Sequence, residues 1–427
     1  MRNQGEMFLA ISSLESPAQS HRWRLVALLS LSVFINYVDR GNLSVAAPVL
    51  GRELNLSPTQ LGLLFSAFFW TYSFCQIPAG WLVDRFSVNR LYTAAFTVWC
   101  VATLLTGFAH TIAALLTLRL LLGLGESVAY PACSQLLVRN FSEQERGRAN
   151  SLIDVGAKAG PALGTLLGGL VVAYYGWRVL FIAAGAAGLL WLAPWSLWAG
   201  TDERAPDESG TVGPSLFQVV GRRDTLGTSL GMFCYGYAWY FLLSWLPYYL
   251  VVERHLSVRS MALFGALPFC GSALSALVSG WASDNLIARG ASATGVRKTF
   301  VVGGLLLCTL VLPAAMVHNT WFALVLLTVA SLAIGLFSSN VWSITQTLAG
   351  RAAAGKWTGV QNAAGNLGGV VSPLLTGFIV SSTHSFFLAF ACAAIALLLG
   401  AGAYLFLVGE VAPLKWHQWD KSTALTE

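Results

Sequence analysis

The sequence predicts an all-α polytopic membrane protein whose twelve transmembrane helices form two pseudo-symmetric six-helix bundles, and three observations carry that prediction. The 427 residues are 56% hydrophobic and only 10% charged. An ordinary soluble domain is roughly a quarter charged, so a cytosolic enzyme, a coiled coil and a disordered chain are excluded. Apolar runs long enough to cross a bilayer, about 20 residues each, recur along the whole length and are broken once by a long polar stretch. The halves also echo each other: Gly80-Trp81-Leu82-Val83-Asp84 returns as Gly280-Trp281-Ala282-Ser283-Asp284, 200 residues on.

In order, the runs predict helices near 25–50, 59–83, 91–110, 111–138, 148–173 and 177–199, then near 227–252, 260–283, 299–317, 319–348, 357–381 and 386–409. The polar tail over 1–24 lacks a short apolar core with a cleavage site, so no signal peptide is expected and the first helix is read as its own insertion signal. The polar stretch makes 200–226 a cytoplasmic linker between a first bundle, 25–199, and a second, 227–409; residues 410–427 form a C-terminal tail. With both termini cytoplasmic, the cytoplasmic segments hold 18 of the 25 Lys and Arg residues, against four (Arg52, Arg178, Arg254, Arg259) in the outer loops. That bias follows the positive-inside rule and sets the orientation, while the short outer loops point to a multi-pass protein of a bacterial inner (plasma) membrane. The pI near 9.0 comes from charges scattered at helix ends rather than a dense patch, so no nucleic-acid partner is expected.

Helix five carries Gly156, Gly160, Gly164 and Gly168; helix eleven carries Gly365, Gly369 and Gly377 on the same four-residue grid. Small-residue stripes let helices approach closely and slide. Two of them at matching places in the halves predict a duplicated transporter with its site between the repeats.

Charged groups inside a bilayer are costly, which makes each one a candidate for function. Six lie within predicted spans, all in the first half: Asp39, Arg40, Arg119, Glu126, Asp154 and Lys158. Fully ionised, they sum to zero; protonating Asp39 and Glu126 leaves +2, a cavity suited to an anion and a way to tie proton uptake to anion binding. Arg119 and Glu126, seven residues apart, share a helix face. Asp154 and Lys158 are an i, i+4 couple, either a structural pair or part of the site. His21, His110, His255, His318, His384 and His417 fall in loops or at helix ends, which leaves proton work to carboxylates. The second half offers neutral hydrogen bonders instead: Ser339, Asn340, Trp342, Gln346, Gln361, Asn362 and Asn366, with Tyr237, Trp239 and Tyr240 in helix seven. A few oriented polar groups among aromatics suit a small polyhydroxylated ligand. Seven cysteines without CxxC spacing read as small hydrophobes. There is no HExxH, GxSxG or P-loop motif, so neither enzyme chemistry, an ATP drive, a metal nor a cofactor is expected.

At these residues the chain resembles the major facilitator superfamily over nearly its whole length. Gly80 to Arg90 (GWLVDRFSVNR) resembles the signature between helices two and three, with Asp84 and Arg85 in place, Ser87 for the usual Gly and Asn89 for a usual basic residue. More narrowly, the chain is similar to the anion:cation symporter family, which includes bacterial galactonate and glucarate transporters, sialin and the vesicular glutamate transporters. The matches are Asn36-Tyr37-Val38-Asp39-Arg40, Cys75-Gln76-Ile77-Pro78, Arg119 through Glu126 to Tyr130-Pro131-Ala132, and Ser244-Trp245-Leu246-Pro247.

The resemblance implies proton-coupled symport of a small organic anion, a sugar acid or related carboxylate, by alternating access. It implies Asp39 and Glu126 as protonatable carboxylates paired with Arg119, and Tyr37, Arg40 and Tyr72 as cavity residues of the first half. Ser339, Trp342 and Asn366 become sugar-acid contacts of the second half, to which helix seven adds Tyr240. Asp84, Arg85 and the repeat-related Asp284 are the expected gating-loop residues. Lys158 departs from the galactonate transporters' pattern, and an extra cation there favours a second acidic group. The expected partners are the anion, protons and the lipid bilayer, with the protein a monomer. An exporter or antiporter of the same fold is the alternative, followed distantly by a membrane-embedded enzyme or a receptor.

Overall fold

The structure, a computed structural model, describes residues 17–141, 143–199 and 214–416. Twelve long helices make up the described residues: α1 Pro17–Glu53, α2 Pro58–Arg85, α3 Val88–Thr106, α4 Ile112–Asn140, α5 Arg148–Tyr175 and α6 Trp177–Trp198. The second half repeats them as α7 Arg223–Val252, α8 Val258–Ala288, α9 Ala293–Met316, α10 Thr320–Gly350, α11 Ala352–Thr383 and α12 Phe387–Leu407. Nine of the twelve are long and apolar enough to cross a membrane by length and composition. The other three, α1, α2 and α7, are long enough at 37, 28 and 30 residues but are diluted by Asn, Tyr, Gln and charge. Those three carry Tyr37, Asp39, Arg40, Tyr72 and Tyr240, five of the candidate site residues.

Local chemistry sets the ends. Ser57 caps α2 through a capping box with Gln60, ahead of Pro58 at the first helical position, and Asn319 caps α10 through the amides of Trp321 and Phe322. Such caps satisfy amide donors that a helix start leaves open. Gly176, at φ 86°, makes the left-handed corner between α5 and α6, a conformation that costs a Cβ-bearing residue.

Several boundaries differ from the sequence expectation: α1 begins at Pro17, inside the expected 1–24 tail, and α9 at Ala293. The expected loop between helices ten and eleven reduces to one residue: Gly350, at φ 60° and ψ −177°, kinks an otherwise continuous helix from Thr320 to Thr383. The alanines after it are strong helix formers, and their modest hydropathy hides the helix. α4 is interrupted just after Glu126 and resumes at Ala129, where Pro131 has no amide to donate to the Ser127 carbonyl. α7 begins at Arg223, inside the expected 200–226 linker, and Leu216–Val220 is a short helix; the rest of that linker, 200–213, lies outside the described residues, as do 1–16 and 417–427 of the two tails.

Both described chain ends lie on one side, the termini side. Arg22 reaches Asn140 and Glu145, and Trp416 Nε1 donates to Ala349. Within each bundle, glycines set the closest helix approach. A Cβ on Gly156 or Gly160 of α5 would strike Ser30 or Tyr37 of α1, and in the second bundle one on Gly236 of α7 would strike the Gly365 carbonyl of α11. The α1–α5 and α7–α11 contacts are the same contact in the two repeats. A methyl at Gly236 overpacks this seam, which costs about 1–3 kcal/mol; Gly236→Ala is therefore expected to lower the melting temperature of the purified protein, and an unchanged melting curve would show that the seam yields.

Between bundles, contact is closest on the side away from the termini. Gly62 of α2 lies against Pro373 and Gly377 of α11, and Gly169 of α5 against Ala262 of α8. Ser66 Oγ donates to the Val370 carbonyl at 2.9 Å and Ser44 Oγ to the Ser244 carbonyl at 2.7 Å. Toward the termini side the same helices part: Gly80, Gly355 and Gly359 have open space where a Cβ would stand. The molecule is closed at one end and splayed at the other.

Candidate substrate and proton site

α1 supplies the first charges. Asp39 and Arg40 are consecutive, so at about 100° per residue they leave α1 in different directions. Asp39 accepts from Asn42 Nδ2 at 3.0 Å, is 2% exposed, and borders an apolar crevice against Ala184, Ala187, Gly188 and Trp191 of α6. Arg40 reaches α4, where its Nε donates to Glu126 Oε2 at 3.0 Å; Glu126 is fully buried. Three rings enclose the guanidinium, with Tyr72, Tyr37 and Phe68 centroids 4.3, 4.9 and 5.0 Å from its central carbon.

In this conformation the hydrogen-bonded partner of Glu126 is Arg40, and Arg119 acts on the two carboxylates through its field alone. Seven residues at 1.5 Å rise separate Arg119 from Glu126 by about 10.5 Å along their own helix, whereas α1 brings Arg40 in from the side. Arg119 stands over the same Phe68 ring at 5.2 Å. Its Nε and Nη1 are buried with no hydrogen-bond partner, as are Arg40 Nη2, Glu126 Oε1, Asp39 Oδ2 and both amide atoms of Asn36. Buried polar groups are almost always satisfied, which makes this cluster of open donors and acceptors the candidate site. Phe68, set between two guanidiniums, is not legible in the run Phe65-Ser66-Ala67-Phe68-Phe69, where each aromatic reads equally as lipid-facing or core.

The second half meets this cluster through aromatics. The Phe69 ring packs edge-on against Tyr240 at 4.4 Å, and the Tyr240 hydroxyl donates to Asn366 Oδ1 at 3.1 Å, leaving Asn366 Nδ2 unpartnered. Trp342 is half-buried against the core. The Ser339 hydroxyl turns to Ser279 Oγ of α8 at 2.6 Å and accepts from Asn340 Nδ2 at 3.1 Å. It is the neighbouring Ser338, unmarked in the sequence, that faces the first half, accepting from Lys158 Nζ at 3.3 Å. Lys158 also stands 6.0 Å from the Trp239 ring. No Lys158–Asp154 ion pair is among those formed by the described residues. Asn362 Nδ2 donates to Gln76 Oε1 at 3.3 Å, a further polar link between the halves.

The gating-loop candidates sit at the splayed end. Arg85 lies over the Trp81 ring at 4.8 Å, and the exposed Asp284 pairs with the mostly covered Arg297 at 3.3 Å. Among the described residues no group of three or more His, Cys, Asp and Glu is placed to hold a metal.

The sequence matches the profile of the Major Facilitator Superfamily over residues 29–293 and 228–424. The chain belongs to that superfamily. This major facilitator is 31% identical to the D-galactonate transporter of Escherichia coli O6:H1 over 415 residues, covering 91% of this chain and 96% of that one. It is 30% identical to the probable galactarate/D-glucarate transporter GarP of Escherichia coli K12 over 424 residues, covering 91% and 95%. Its fold is shared with a bacterial homologue of the lysosomal transporter Spinster in an inward-facing and occupied conformation, at a TM-score of 0.80 and 17% identity, with 91% of this chain and 97% of that one covered. The twelve-helix fold and the resemblance read from the motifs both hold, and the protein is a multi-pass membrane transporter rather than an enzyme.

Proposed function

We propose that this major facilitator moves a small organic acid of the sugar-acid class together with protons, by alternating access. The observation that carries the reading is the buried Arg40–Glu126 pair at 3.0 Å, flanked by Arg119 and Asp39 and facing the hydrogen bonders Tyr240 and Asn366. Ionised Glu126 occupies the guanidinium that a substrate carboxylate needs. Protonated Glu126 releases it, so substrate and proton bind together and leave together; Asp39, next to Asn42, is the second proton carrier. Tyr37 and Tyr72 hold the Arg40 plane, and Tyr240, Asn366 and Trp342 receive the hydroxylated body of the acid. Relatives named for galactonate and for galactarate/D-glucarate support that class. The excess of Lys and Arg on the termini side supports a cytoplasmic termini side in a bacterial inner membrane, which makes this conformation inward-facing. A monomer suffices, since both halves of the site come from one chain, and Asp84, Arg85 and Asp284 lie where closure of the cytoplasmic side would engage them.

The test is uptake into proteoliposomes. An inward proton gradient is expected to drive accumulation of labelled gluconate or galactonate, and a protonophore to collapse it. Accumulation indifferent to the protonophore would overturn proton coupling; a screen of sugar acids without any binding would overturn the substrate class. Arg40→Lys is expected to weaken binding by about 1.5–3 kcal/mol, the range for a hydrogen bond to a charged group, because an ammonium reproduces neither the planar fork nor the ring stacking. Calorimetry giving equal affinities would remove Arg40 from the carboxylate contact.

A further inference from the structure

We propose that Lys158, with Ser338 and Trp239, forms a second anion subsite, so that the preferred substrate is a two-headed acid whose distal acidic group binds there while its proximal carboxylate takes Arg40. This rests on the reading above and narrows it. Lys158 is half-buried on α5, at a point where the backbone is pinned: Gly156 and Gly160 on either side of it lie against Ser30, Phe34 and Tyr37 of α1. Its ammonium has left that seam and crossed to the other half, donating to Ser338 Oγ at 3.3 Å beside the Trp239 ring at 6.0 Å. A hydroxyl and a ring face satisfy a hydrogen bond and part of the field of a cation, but neither carries the countercharge that a cation withdrawn from water requires. Asp154, one turn away, is exposed and forms no ion pair with it. Asp154 therefore lends Lys158 part of its field without closing on the ammonium, and the face turned toward Ser338 stays open to an acidic group of a ligand.

The placement fits one molecule touching both cations. Lys158 stands level with about residue 34 of α1, judged by the contacts of its flanking glycines. Arg40 is six residues further along, roughly 9 Å at 1.5 Å per residue, and the Tyr37 ring lies between the two levels and under the Arg40 guanidinium. The adjoining wall carries Tyr240, next to Trp239, and the Asn366 amide it bonds, groups for hydroxyls midway along the ligand. Because Lys158 reaches across to α10, a distal acid group bound there contacts both halves at once, which a monocarboxylate held at Arg40 does not.

Gluconate and glucarate share one carbon chain and differ only in whether the far end is a hydroxymethyl group or a carboxylate, so they isolate this subsite. Titrated into the purified full-length protein, glucarate is expected to bind at least tenfold more tightly than gluconate. Lys158→Gln, which removes the charge but keeps an N–H donor on a side chain one bond shorter, is expected to reduce that preference to near unity, and Lys158→Arg to retain it. Ser338→Ala, a change too small to threaten folding, is expected to lower the preference severalfold. Equal binding of the two acids by the wild type, or a preference unchanged in Lys158→Gln, overturns the subsite and leaves sugar-acid transport standing. Binding of neither acid removes the sugar-acid reading and the subsite together.

Discussion

Glu126→Gln is expected to exchange substrate across a liposome membrane yet to accumulate none of it under a proton gradient. The reason lies in what Arg40 touches. Its Nε donates to a Glu126 carboxylate with no exposed surface, in surroundings where removing one partner of an ion pair costs about 3–5 kcal/mol. Gln preserves the shape and an oxygen acceptor for Nε, so the protein folds, but it imitates the protonated carboxyl permanently. Arg40 is then always free to take a substrate carboxylate, and nothing returns to compete with it on release. In the wild type, binding weakens as pH rises and Glu126 ionises; in Glu126→Gln that part of the pH dependence is lost. Counterflow together with binding measured across pH checks both statements. Concentrative uptake by Glu126→Gln would transfer coupling to Asp39, whose free Oδ2 and Asn42 contact make it the other candidate.

How much of this is legible in the sequence follows the physics of each residue. A charge in an apolar run is conspicuous, so Asp39, Arg40, Arg119, Glu126 and Lys158 stand out by residue type and position alone. The repeat is legible wherever the same local device is used twice, as at Gly80 and Gly280. The pairing within the charged set is not, because Arg40–Glu126 joins residues 86 apart on helices whose relative placement depends on packing of the whole bundle. Phe68 is hidden because one aromatic among several carries no mark of its neighbours. Ser338 and Ser339 are indistinguishable as letters, and only their different directions around α10 assign one to Lys158 and the other to Ser279. The helical joint at Gly350 is equally silent, because hydropathy reports burial, while a single left-handed glycine reports nothing until its backbone angles are known.

Gly62→Val is expected to shift the population toward the opposite conformation. Gly62 is where the closed end closes: a Cβ there lies 2.5 Å from the Pro373 carbonyl oxygen and 3.1 Å from Gly377 Cα, while one on Gly377 lies 2.5 Å from the Pro58 oxygen. These contacts are backbone against backbone, so no rotamer relieves them. Overpacking of this kind costs about 1–3 kcal/mol, a factor of roughly 5 to 150 in a two-state population at 1.4 kcal/mol per tenfold. The cost falls on one state only, because α2 and α11 belong to different bundles and separate at this end when the cavity opens here. That separates Gly62 from Gly236, whose seam lies inside one bundle and is kept in both states. The same helices carry a mirror of this contact. Gly80 is 18 residues beyond Gly62 and Gly359 is 18 before Gly377, five full turns at 3.6 residues per turn, so each pair shares one helix face. In the structure Gly80 and Gly359 are open; closing the termini side brings that face of α2 onto that face of α11 and places them in contact. Gly80→Val is thus expected to shift the population in the opposite direction from Gly62→Val. Hydrogen exchange over Pro58–Ser66 and 370–383 reads the difference, rising in Gly62→Val and falling in Gly80→Val. Shifts of the same sign in the two variants would mean that α2 and α11 do not rock about the site as rigid partners.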